Sequence, residues 1–79
     1  MRLQPSRELL SAMYKPENAE LRKMMKVLFV DPQPDWVTPV EDKPNTYEFF
    51  ASGLWIRYQI ETNGETVIVA MVTNRPSFL

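Results

Sequence analysis

The sequence predicts an α+β domain in which two N-terminal helices pack on a small antiparallel β-sheet. Three observations carry that expectation. Leu21, Met24, Met25, Leu28 and Phe29 fall at i, i+3, i+4, i+7 and i+8, the single apolar stripe of a helix with 3.6 residues per turn. Leu54, Ile56, Tyr58 and Ile60 alternate with Trp55, Arg57, Gln59 and Glu61, the period of two expected of a half-buried strand. Asn63-Gly64 then stands between two β-like runs, where it favours a type I′ hairpin because both residues accept positive φ.

The other elements follow in order. Residues 1–4 can form a short edge strand, and Pro5-Ser6 reads as a helix start, with the serine hydroxyl suited to capping free amides. A first helix over 5–14 carries Leu9, Leu10, Met13 and Tyr14 on one stripe. Lys15-Pro16 interrupts it, because a residue before proline avoids the α region. The second helix spans 16–30 and ends at Asp31-Pro32. Between 31 and 46 four prolines leave too few donors for regular structure, so an ordered loop is expected, tied down by Trp36, Val37 and Val40. Strands are predicted at 46–51, 54–61 and 66–73, with Ser52-Gly53 as the first turn. The last strand is apolar at every position from Val67 to Val72, the pattern of an interior strand. A flanking strand must therefore come from residues 1–4 or from a second copy of the chain.

With 79 residues the chain holds one domain, and its stability should be roughly 3–5 kcal/mol unless self-association adds to it. A homodimer is thus one expected state. Cysteine is absent, which excludes disulfides and thiolate chemistry and makes the cytoplasm the expected compartment. No apolar run reaches about 18 residues, and residues 1–10 lack the features of a signal peptide, so no membrane span is expected. Nine Lys and Arg against ten Asp and Glu give a net charge of −1, without the overall positive field that draws proteins to nucleic acid.

The order of elements, with a Asp-Pro helix stop, a proline-containing loop, Tyr-x-Phe, a Gly turn, Arg57-Tyr58-x-Ile60 and a Val-rich strand closing in Asn74-Arg75, resembles the RelE/ParE toxin superfamily over roughly residues 20–76. The resemblance implies two helices on an antiparallel sheet. It implies a toxin of a toxin–antitoxin system, with a ribosome/RNA or topoisomerase target and an antitoxin as protein partner. It makes Arg57 and Arg75 the nearest matches to functional arginines, with Tyr58 beside them. Trp55 stands where such proteins usually carry an arginine, and Thr73-Asn74 replaces a Gly-His pair.

Histidine is also absent, so the common general base and both familiar triads are excluded. RNA cleavage would then need arginine to stabilise charge and lysine, tyrosine or glutamate to move protons. Arg57, Arg75 and Tyr58 are the catalytic candidates on that reading. The plainer reading pairs the two arginines with Glu48 or Glu61 on a strand face and buries Tyr58 in the core. Trp36, Trp55 and Phe78 are the candidate partner-binding residues, since clustered exposed aromatics anchor interfaces. Neither Glu61 with Glu65 nor Glu41-Asp42 has the surroundings of a metal site, and no cofactor is expected. Two functions fit: a RelE/ParE-like toxin-fold protein acting through macromolecular binding with weak or no catalysis, or a non-catalytic protein-interaction domain.

Overall fold

The computed structural model describes residues 1–76. The element order is β1 (Arg2–Pro5), α1 (Arg7–Met13), a single 3-10 turn (Pro16–Asn18), α2 (Ala19–Leu28), β2 (Thr38–Pro39), β3 (Thr46–Ala51), β4 (Leu54–Thr62) and β5 (Thr66–Thr73). The strands form one sheet in the order β1-β5-β4-β3-β2. The fold class is α+β, but two features of the expectation need correction. A strand precedes the helices, and the sheet is mixed, because β1 runs parallel to β5 while every other pair is antiparallel. A four-residue segment has too few alternations to announce its direction; that direction is set where the Ser6 N–H donates to the Ala70 carbonyl at 2.8 Å.

Side chains hold both ends of α1. Ser6 accepts from the Leu9 amide at 3.1 Å and so starts α1. At the other end the buried Asn18 amide donates to the Ala12 carbonyl at 2.8 Å, while Arg22 donates to the Met13 and Lys15 carbonyls at 3.0 and 2.6 Å. Arg22 thus satisfies the end of α1 and the link to α2. Pro16 opens a tight turn rather than the helix proper, which spans Ala19–Leu28 instead of the expected 16–30.

Positive φ angles relocate the type I′ turn. Ala51 pairs with Leu54, and the two residues between them, Ser52 and Gly53, have φ of 52° and 76°. A two-residue hairpin with both central residues at positive φ is the I′ arrangement. At the second hairpin Thr62 pairs with Thr66, leaving three residues between, and only Gly64 has positive φ. Ser52 occupies a conformation costly for its type, and its hydroxyl accepts from the Leu21 amide at 3.2 Å, tying the turn to the first turn of α2. Ser52→Ala should therefore cost about 1 kcal/mol in a denaturant melt, and Ser52→Gly less, since glycine removes the backbone penalty while losing the same hydrogen bond.

The register divides the sheet into two faces. Phe49, Ala51, Ile56, Tyr58, Ile68 and Ala70 share one face, and with Leu9, Ala12, Leu21, Met25 and Leu28 from the helices they form the core. Trp36 ties the proline-rich segment to that core, its ring edge-on to Phe49 at 5.0 Å. No helix packs on the opposite face among the described residues.

Candidate functional site

The face that no helix covers among the described residues is ordered in rows across the strands, and Thr46, Glu48 and Val67 on it are nonetheless buried. Glu48, Arg57 and Met71 lie side by side, flanked on one side by the row of Thr46, Gln59, Val69 and Gln4 and on the other by Phe50, Trp55 and Thr73. A cleft of ≈ 300 Å³ opens over the first two rows. Arg57, Gln59, Val69 and Met71 line it from β4 and β5, Gln4 from β1, and Lys43 from the loop before β3.

That loop is shaped by residues that tolerate left-handed backbone. Asp42 and Asn45 have φ of 65° and 57°, and their short polar side chains make this conformation accessible. The Val40 amide donates to the Thr46 carbonyl at 2.9 Å, and the Ile60 amide to the Asn45 carbonyl at 2.8 Å, so residues 40–46 are held against β4. Lys43 is carried to the rim of the cleft by this turn.

Arg57 is the best-held cation of the face. Its Nε donates to Glu48 Oε2 at 3.3 Å, where the Glu48 side chain is 1% exposed and that of Arg57 24%. A carboxylate this buried must keep its partner, so the pair orients the guanidinium. The contact engages Nε and leaves both terminal amino groups of Arg57 without a hydrogen bond among the described residues.

The catalytic candidates are not gathered in one place. Tyr58 follows Arg57 directly and so points to the opposite face, where it is 1% exposed and its hydroxyl donates to the Pro32 carbonyl. Burial, with smaller contributions from Tyr47 and Asp31, raises the Tyr58 phenol well above its ordinary value of 10.0. A raised acidic group contributes stability that is fully present below its ordinary value and is lost as pH climbs past it. Thermal melts in a pH series should thus show no Tyr58 contribution to pH dependence near neutrality and a fall above pH ~10, which Tyr58→Phe should lessen. Arg75 lies two residues past the end of β5, exposed, away from the row that holds Arg57.

The aromatic candidates are likewise dispersed. Trp36 serves the helix-covered side through Phe49, whereas Trp55 lies on the uncovered face against Phe50, with ring centroids 5.1 Å apart. Phe78 lies outside the described residues. Lys43, Gln4 and Gln59 line the cleft and Glu48 stands beside it as the partner of Arg57, and residue type alone marks none of the four as a site. The signal for two of them is register: a two-residue turn at 52–53 places Glu48 opposite Arg57 and Thr46 opposite Gln59.

Among the described residues no group of three or more His, Cys, Asp or Glu is placed to hold a metal ion, and no helix is long and apolar enough to cross a membrane. No family model, curated protein or solved structure matches the chain.

Proposed function

We propose that this chain is a RelE/ParE-like toxin-fold protein that acts by binding a macromolecule on the uncovered face of its sheet, with weak or no catalysis of its own. The observation that carries this reading is the placement of Arg57, anchored by a buried Glu48, in a cleft on the sheet face that carries no helix among the described residues. A surface with an oriented guanidinium, a second cation at its rim and half-exposed Phe50 and Met71 beside it has the composition of a recognition site. The arrangement of a helix pair on one side of a strand meander is also what the sequence resemblance implies. Acid–base chemistry finds little support in the candidate residues, since Tyr58 faces the core with its proton firmly held. The rival reading, a protein-interaction domain without toxicity, draws on the same face and differs in its consequence for the cell.

Inducible expression in a bacterial host separates the two. Induction should arrest growth, and Gln59→Glu with Met71→Glu should relieve the arrest by placing two negative charges on the face. Both residues are exposed, so the substitutions should change stability by less than about 0.5 kcal/mol each. Induction without effect on growth favours the interaction domain, and arrest that persists in the double variant removes this face from the mechanism.

A further inference from the structure

The chemistry of the cleft is more specific than a general binding surface. Arg57 is fixed from behind through Nε, which turns its remaining edge, the two terminal amino groups, into a fork matched to two oxygens of an anion. Lys43, exposed on the rim, is a second cation. The two charged residues that line the cleft, Arg57 and Lys43, are both cations, on a chain whose net charge is −1. Gln59 and Gln4 lie in the adjacent row and supply neutral amide donors, and Val69 and Met71 supply apolar lining. The volume, ≈ 300 Å³, is at the lower end of the range that small-molecule sites occupy.

We propose that this cleft is an oxyanion site: a carboxylate or phosphate group seats between Arg57 and Lys43, and the carbon skeleton bearing it lies along Val69 and Met71. The inference rests on the reading that the uncovered sheet face is the recognition face, and it names the group recognised there. The negative charges nearest in sequence, Glu41 and Asp42 beside Lys43 and Glu61 one alternation beyond Gln59, are exposed and moderate the attraction. Glu65, across the second hairpin, is paired to Arg2 at 3.6 Å.

Titration of the full chain followed by amide chemical shifts tests this with inorganic phosphate, a phosphate monoester and succinate as probes, against sodium chloride at matched ionic strength. The expected result is saturable shifts confined to Gln4, Lys43, Arg57, Gln59 and Met71 for at least one probe and none for chloride. The relative affinities of phosphate and succinate then identify which oxyanion the fork prefers. Lys43→Gln, which leaves the Glu48 pair intact, should weaken binding several-fold. Arg57→Gln should weaken it at least about tenfold, the loss expected for one charge-assisted hydrogen bond. The same spectra report whether each variant stays folded. Shifts that do not saturate, that chloride reproduces, or that survive Lys43→Gln and Arg57→Gln unchanged would overturn the proposal. Growth arrest relieved by Gln59→Glu with Met71→Glu, together with no saturable binding of any probe, would remove the oxyanion while leaving the recognition face in place.

Discussion

Leu28→Ala and Ile56→Ala should each leave the chain largely unfolded at 37 °C. Both side chains are 0% exposed, and they meet in the single core between the helices and the sheet. Truncating a fully buried leucine or isoleucine costs roughly 2–4 kcal/mol, the lost transfer energy plus the cavity left behind. A domain of this size has about 3–5 kcal/mol in all, so either change consumes most of it. Urea melts followed by far-ultraviolet circular dichroism check this. A midpoint that barely moves in both variants would mean that the helix layer does not pack on the sheet as described.

Arg57→Ala should cost about 2–3 kcal/mol, far more than the fraction of a kcal/mol typical of an arginine on an open strand. The reason is its partner. Glu48 is 1% exposed, and removing Arg57 withdraws the cation that faces a carboxylate sequestered from water. In a Glu48→Gln background, where the buried carboxylate facing Arg57 is gone, the same Arg57→Ala change should cost only ~1 kcal/mol or less. The double-mutant cycle measures the difference directly. Equal costs in the two backgrounds would show that Arg57 contributes through packing alone. The coupling also bears on function, because a loss of activity in Arg57→Ala has to be separated from partial unfolding.

Much of the architecture was legible because it depends on local periodicity. The alternation through Leu54 to Ile60 and the apolar run of Val67 to Val72 locate β4 and β5, and the bare edge of β5 calls for a flanking strand that Arg2–Pro5 supplies. The direction of that strand was not legible, since it depends on a hydrogen bond between Ser6 and Ala70 that are distant in sequence. The choice of turn failed for a related reason. Asn63-Gly64 has the stronger intrinsic preference for I′ geometry, yet Ser52-Gly53 adopts it, helped by a tertiary contact from the Ser52 hydroxyl to α2. At the site, alternation alone separates Arg57 from Tyr58 onto opposite faces, so their adjacency in sequence is no evidence of shared chemistry. The cleft itself needs the rows of four strands and the turn at Asp42–Asn45, and no single segment announces it.

Binding without bond-breaking is the centre of this account, and incubation of the purified chain with translating ribosomes and a defined messenger RNA at physiological salt tests it most directly. The expected result is no cleavage above the ribosome-only background, with Arg75→Ala and the unaltered chain indistinguishable. Rapid, ribosome-dependent cleavage that disappears in Arg75→Ala would contradict the account and make the protein an enzyme.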